Sequence, residues 1–119
     1  MTGREDGWQL VIRSDSMRSY LLTGRLQFLR NGNRIAWIKH VPLPGREPKD
    51  SAGNAIAKSI SLEEFDSGAG ASRDIQITTY DFADERLGRS GEDKVWHSFP
   101  VETIGRRVLD FVCSVDPAR

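Results

Sequence analysis

Residues 20–41 read YLLTGRLQFLRNGNRIAWIKHV, and this stretch decides the fold. Asn31-Gly32 lies between two runs of alternating apolar and polar residues, which is the strongest short-range signal of a β-hairpin. A two-residue loop at this point sets the pairing of the two strands and matches apolar residues across them. The matched pairs are Phe28 with Ile35 and Leu26 with Trp37. We therefore expect a hairpin whose apolar face packs on a core.

The opposite face of the predicted hairpin mixes cations with polar and apolar side chains. It points to solvent in this register, because the other face packs on the core. Arginine is enriched at protein interfaces, and scattered aliphatic residues supply apolar contact points there. We interpret this face as a partner-binding surface made of Arg25, Gln27, Leu29, Arg34, Ile38 and His40.

Signals outside the hairpin predict further strands and one long helix. Clusters of β-branched and aromatic residues indicate strands at residues 8–13, 57–60, 74–82 and 95–99. Ser61-Leu-Glu-Glu64 fits the capping box of a short helix, and residues 42–56 and 83–93 are typical of loops. Pro100 suits the first turn of a helix that reaches about Val115, where Asp116 and Pro117 stop it.

The predicted C-terminal helix has one apolar stripe and one mixed line. At about 100° per residue, the stripe consists of Val101, Ile104, Val108, Phe111, Val112 and Val115. Leu109 and Cys113 fall on the far side, on the same line as Arg106. We expect the stripe to cover the sheet, and we interpret Arg106, Leu109 and Cys113 as a second interface, with the seam of a homodimer as one use.

This order of elements predicts an α+β fold. We expect a mostly antiparallel sheet of about five strands with the C-terminal helix packed on one face. The alternative is a small OB-like or SH3-like β-barrel with a helix, because five short strands can curl shut. A length of 119 residues predicts a single domain over residues 1–119.

The charges balance overall but are separated along the chain. There are 17 Lys and Arg residues against 17 Asp and Glu residues, so a simple polycation or polyanion is excluded. Residues 13–49 carry eight basic and two acidic residues, whereas residues 50–93 carry four basic and ten acidic residues. Either the acidic loops fold back over the basic hairpin, or the molecule is dipolar and steers a charged partner.

The sequence contains no catalytic or metal-binding motif. There is no glycine-rich phosphate loop, no nucleophile elbow and no paired spacing of metal ligands, so no catalytic residue, metal or cofactor is predicted. The one cysteine, Cys113, excludes an internal disulfide. No apolar run approaches the roughly 20 residues that cross a bilayer, and no signal-peptide core is present, so we expect a cytoplasmic protein without membrane contact.

These features predict a small intracellular, non-catalytic binding protein of the accessory, inhibitor or immunity type. It presents the basic sheet face and the acidic loops to a macromolecular partner, a protein in preference to a nucleic acid. The first alternative is nucleic-acid binding by the basic hairpin 18–41, against which stands the predicted placement of Phe28 and Trp37 on the core face. The second alternative is a small enzyme that uses His40 or His97 with a carboxylate.

Overall fold

The computed structural model describes residues 4–5 and 7–115. Its nine strands are Arg4–Glu5 (β1), Trp8–Arg13 (β2), Met17–Leu22 (β3), Gln27–Phe28 (β4), Arg34–Pro42 (β5), Lys58–Asp66 (β6), Ala71–Tyr80 (β7), Arg86–Ser90 (β8) and His97–Ser98 (β9). One α-helix, Ile104–Ser114 (α1), follows the strands.

All nine strands belong to one open antiparallel sheet with the order β1-β2-β3-β5-β6-β7-β8. β4 pairs with β5 beyond the end of β3, and β9 pairs with β7 beyond the end of β8. Apart from the two-residue strands β4 and β9, strands that follow one another in the chain are neighbours in the sheet. The predicted α+β class, with an antiparallel sheet and a C-terminal helix, is confirmed. The prediction of about five strands is wrong, and the open sheet is not the alternative barrel.

The turn of the predicted hairpin is longer than expected. The backbone N–H of Leu29 donates to the carbonyl of Asn33 (2.8 Å), which leaves the three residues 30–32 in the loop. The last of these, a glycine, has φ of 91°. A three-residue hairpin loop uses such a left-handed residue, and only glycine adopts it without strain. The predicted two-residue loop is therefore wrong.

A second irregularity separates β3 from β4. The 3-10 turn Thr23–Arg25 follows β3, with Leu21 opposite Ile38 before it and Gln27 opposite Ile35 after it. Between these two pairs the chain advances six residues from Leu21 to Gln27, but only three residues separate Ile38 from Ile35. Because these two numbers differ by an odd number, the alternation of side chains does not continue from β3 into β4. Gln27 therefore lies on the opposite face of the sheet from Leu21.

Helix α1 packs on the face of the sheet that we expected to be exposed to solvent. Leu21, Ile38 and Phe65 are buried under α1, where they pack with Val108, Leu109 and Val112 of the helix. Ser19 and Ala36, both 0% exposed, lie on the same face and are small enough for the helix to approach closely. The predicted exposure of Ile38 and His40 is therefore wrong, because β5 turns both toward the helix side of the sheet. Trp37, which we placed in the core, lies on the opposite face.

The helix begins later than predicted. Thr103 is its N-cap, and the Thr103 hydroxyl accepts a hydrogen bond from the N–H of Arg106 (3.2 Å). Pro100 is therefore outside the helix. The predicted stop at Asp116 and Pro117 lies outside the described residues.

The buried side of α1 is wider than a single stripe. Leu109 is 1% exposed, so its predicted place on a free second interface is wrong. Cys113 is half-buried and packs against the core. Val101, predicted in the stripe, precedes the helix and is 75% exposed. A helix lying on a broad sheet buries an arc of its surface rather than one line of residues.

Two local predictions are also corrected by the sheet. The Ser61–Glu64 stretch is part of β6 and not a short helix. Residues 86–90 form β8 within the predicted loop 83–93, and they pair with the end of β7. In both places, pairing with a neighbouring strand outweighs the local preference of the sequence.

Arg34, predicted to bind a partner, instead holds the end of the helix. Its Nη1 donates to the carbonyls of Val112 (2.7 Å) and Val115 (2.6 Å). The last carbonyls of a helix lack partners within the helix, and a positive charge is favourable at that end of the helix dipole. Arg34 therefore joins β5 to the C-terminal end of α1.

Replacing Arg34 with Met is expected to lower the free energy of unfolding by about 2 kcal/mol, because it removes two charge-assisted hydrogen bonds. Urea denaturation followed by circular dichroism measures this loss. Arg25→Met is the matched control, since Arg25 is exposed on the 3-10 turn, and a change within about 0.5 kcal/mol is expected. Equal losses in the two variants would contradict the role of Arg34.

Candidate functional site

A cleft of about 370 Å³ opens beside α1 on the helix side of the sheet. Strands β5, β6 and β7 form its floor, and the first turns of α1 and the segment around β9 form its walls. The polar side chains of the floor are His40, Ser59, Ser61, Glu63, Ser72 and Asp74. Apolar lining comes from Phe65, Ile77, Phe99 and Val108.

The floor of the cleft is polar because polar and apolar residues alternate along the first part of β6. Ser59, Ser61 and Glu63 lie on one face of this strand, in register with β5 and β7. A register shift follows Leu62 and places Asp74 directly opposite Glu63. Polar residues at every second position, separated by Ile60 and Leu62, were the available sequence signal for this site.

Glu63 is the most deeply buried acid of the cleft, with 9% of its surface exposed. Burial raises the pKa of Glu63 to about 7, and the nearby charge of Asp74 acts in the same direction. Two serine hydroxyls, Ser61 Oγ (2.7 Å) and Ser72 Oγ (3.5 Å), donate to the carboxyl and partly oppose this shift. The carboxyl of Glu63 therefore keeps its proton to a higher pH than an exposed glutamate does.

Asp74 is the second acid whose ionisation the cleft disfavours. Burial raises its pKa, the charge of Asp93 acts in the same direction, and His97 opposes both. His97 Nε2 is itself 2.9 Å from Asp93 Oδ2. Arg73, which also lines the cleft, forms ion pairs with acids other than Glu63 and Asp74. The charge of the two cleft acids is thus poorly compensated.

His40 lines the cleft, and its burial favours the neutral form of the imidazole. Burial lowers its pKa, and its Nδ1 is 2.7 Å from the hydroxyl of the wholly buried Ser19. This contact fixes the orientation of the imidazole and leaves Nε2 as the ring nitrogen that Ser19 does not engage. His40 therefore offers the cleft a fixed polar group without a charge.

The outer wall of the cleft is tied to the sheet by Arg73. Its Nε and Nη2 donate to Glu64 Oε1 (3.1 and 2.9 Å), and its Nη1 donates to Glu92 Oε2 (2.5 Å). Its guanidinium also lies 5.7 Å from the ring centroid of Trp96. These contacts attach the segment before β9 to β6 and β7.

Close packing of Phe99 on Gly105 forms the wall next to the helix. A Cβ at Gly105 would lie 2.6 Å from the Phe99 ring, so glycine is needed for this contact. The ring thereby packs directly on the backbone of α1 at the rim of the cleft.

The structure separates the six residues predicted to bind a partner. Only His40 reaches the cleft. Ile38 is buried under the helix, Arg34 binds the end of the helix, and Arg25 and Gln27 are exposed near the base of the hairpin loop. Leu29 is half-buried at the edge of that loop. The six residues do not form one surface.

The predicted enzyme alternative placed His40 or His97 with a carboxylate. The structure brings both histidines to the cleft that holds Glu63 and Asp74. The hydrogen-bond partner of His40 is Ser19, whereas His97 contacts Asp93.

The described ranges, 4–5 and 7–115, also bear on metal binding and on membrane insertion. This part of the chain has no group of three or more His, Cys, Asp or Glu side chains that could hold a metal ion. It also has no helix long and apolar enough to cross a membrane. Comparisons with protein-family models, with curated proteins and with solved structures found no match to the chain.

Proposed function

We propose that the protein binds a small organic cation, an amine with an apolar body, in the cleft between α1 and the sheet. One observation carries this proposal: Glu63 and Asp74 face each other in the cleft and both have raised pKa values. The hydrogen-bond partners of Glu63 are serine hydroxyls rather than cations. A cation placed between the two acids stabilises their ionised forms.

The walls of the cleft suit the apolar part of such a ligand. Phe65, Phe99 and Ile77 line it, and ligand sites typically combine apolar walls with a few fixed polar groups. An aromatic face also attracts a cation within about 6 Å. The neutral ring of His40 and the hydroxyl of Ser59 add hydrogen-bonding groups that do not repel a positive charge.

Binding of a cation is linked to the proton on Glu63. A cationic ligand favours the ionised carboxyl, so it displaces the proton that Glu63 holds below pH 7. Affinity is therefore expected to rise as the pH increases from 6 to 8, provided that the ligand stays protonated over this range.

Benzylamine is a suitable probe, with benzyl alcohol and benzoate as its neutral and anionic counterparts. In an NMR titration of the ¹⁵N-labelled protein at pH 7.5, benzylamine is expected to shift the amide signals of Ser59, Ile77 and Gly105. Benzoate is expected to leave them unchanged, because the acids repel it. Comparable binding of benzoate would contradict the proposal.

Two single-charge variants sharpen the test. Asp74→Asn is expected to weaken benzylamine binding about tenfold, which corresponds to about 1.4 kcal/mol. Asp15→Asn removes the same charge from an exposed turn, and it is expected to leave the dissociation constant unchanged. Equal losses in both variants would point to general charge attraction rather than to the cleft.

Acid–base catalysis in the same cleft is the second candidate function. The observation that favours it is the pKa of Glu63 at about 7, since a general acid or base works best when its pKa is near the working pH. Catalysis requires a chemical change in the bound molecule. Mass spectrometry of amines, amides and esters incubated with the wild type and with Glu63→Gln distinguishes turnover from binding.

A further inference from the structure

The sheet has a second face, opposite α1, which we call the open face. It consists of the side chains that alternate with the helix-facing ones on β2, β3, β5, β6, β7 and β8. The one helix of the described residues packs on the other side of the sheet. Leu10, on the open face of β2, is 41% exposed. The aromatic residues of this face are Trp8, Tyr20, Trp37 and Tyr80.

Cations lie among these aromatic rings. Lys39 Nζ is 4.8 Å from the ring centroid of Trp8 and 5.0 Å from that of Tyr20. Lys58 Nζ is 5.1 Å from the ring centroid of Tyr80. The contacts of Lys39 span three adjacent strands, β2, β3 and β5, so two rings and one positive charge lie side by side on the open face.

The open face carries more positive than negative charge. Arg18 and Arg89 lie on it together with the two lysines. Glu64, an acid of this face, is 8% exposed and is held by Arg73, while Asp84 at its edge pairs with Lys58. A second copy laid face to face would set cations against cations, which is unfavourable. The charge therefore fits an anionic partner.

Arg18 lines a pocket at one end of the open face, together with Lys58 and the acids Glu47, Asp81 and Asp84. Its Nε is buried and has no hydrogen-bond partner among the described residues.

We propose that the open face binds single-stranded nucleic acid. Bases pack against the rings of Trp8, Tyr20 and Trp37, and phosphates contact Arg18 and Arg89. The rings of the open face are half-buried, and aromatic side chains on a sheet, bordered by cations, are the arrangement that holds unpaired bases without a fixed sequence. An acidic protein would satisfy the cations but would leave the row of rings without stacking partners. This site lies on the opposite side of the sheet from the cleft and does not depend on its ligand.

A fluorescence anisotropy titration with a labelled 20-nucleotide oligo-dT and with a duplex of equal length tests the proposal. We expect the single strand to bind at 50 mM salt, at least tenfold more tightly than the duplex. Its affinity should fall at least tenfold at 200 mM salt, because phosphate contacts release counterions. Tryptophan fluorescence should be quenched on binding. Absence of oligo-dT binding at 50 mM salt would overturn the proposal, as would binding of poly-glutamate in its place.

Three variants separate stacking from charge. Trp37→Leu keeps an apolar side chain but loses the ring, and it is expected to weaken oligo-dT binding at least fivefold, whereas Trp37→Phe retains most of the affinity. Arg18→Gln is expected to weaken binding and to reduce the salt dependence by about one charge. Arg107→Gln removes an exposed cation from α1 and should bind like the wild type. Circular dichroism confirms that each variant is folded, and equal binding by Trp37→Leu and the wild type would refute base stacking.

Discussion

Replacing Glu63 with Gln is expected to raise the free energy of unfolding by about 3 kcal/mol at pH 8.5 and to change it little at pH 4. Glutamine has the shape of the protonated carboxyl and can keep the hydrogen bonds to Ser61 and Ser72. It cannot ionise, so it avoids the cost of a buried charge. Urea denaturation of both proteins at several pH values from 4 to 8.5 measures the difference.

The direction of this effect follows from the pKa of Glu63. The ordinary pKa of a glutamate carboxyl is 4.5, and burial raises the pKa of Glu63 in the folded state to about 7. The folded state therefore holds the proton more tightly than the unfolded chain does. The stability that comes from the protonated carboxyl is fully present below pH 4.5 and is lost as the pH rises through 7. Asp74, whose pKa is also raised by burial, acts in the same direction.

His40 contributes in the opposite direction. Burial lowers the pKa of His40 below the ordinary histidine value of 6.5, so the folded state favours the neutral ring. The stability that the neutral His40 ring provides is present above pH 6.5 and is lost as the pH falls below that value. His40 and Asp74 are present in both proteins, so the difference between wild type and Glu63→Gln reports Glu63 together with its coupling to Asp74. Glu102→Gln, an exposed neighbour of the helix, is the control, and parallel curves for wild type and Glu63→Gln would contradict the burial argument.

The Leu109→Ala variant is expected to lower the free energy of unfolding by about 3 kcal/mol. Leu109 is 1% exposed between α1 and the sheet, so removal of its side chain leaves a cavity in a packed core. Val101→Ala is the matched control, because Val101 is 75% exposed, and its expected effect is within about 0.5 kcal/mol.

Chemical denaturation of the two variants in parallel measures both values. The comparison also tests the stripe predicted from the sequence against the observed packing of the helix. The stripe places Val101 in the core and Leu109 at the surface, whereas the structure shows the reverse. A larger loss for Val101→Ala than for Leu109→Ala would support that stripe and contradict the observed packing.

The fold class could be predicted from sequence because its signals are local. The Asn31-Gly32 turn indicated a hairpin, and the periodic apolar residues after Pro100 indicated a helix. The face of the sheet that meets the helix could not be predicted in this way. It depends on the close approach that Ser19 and Ala36 allow, and small residues carry little weight in a pattern of large apolar ones.

The cleft was missed for a related reason. The Ser61–Glu64 stretch fits both a capping box and a strand with alternating polar residues, and only pairing with β5 and β7 decides between them. The register shift after Leu62, which sets Asp74 opposite Glu63, leaves no trace in the sequence. Nearness of two acids in space, rather than along the chain, creates the site.

The order of the strands has a consequence for how the chain folds. Each main strand pairs with one that is near it in sequence, and the longest connection between these strands is the loop 43–57 between β5 and β6. Near neighbours in sequence favour rapid folding. Helix α1 is different, because it also packs on β2, at the other end of the chain. On the ribosome, every strand is made before the residues that cover Leu21, Ile38 and Phe65. The nascent sheet therefore exposes its future core until synthesis reaches α1, and docking of this helix completes the cooperative unit.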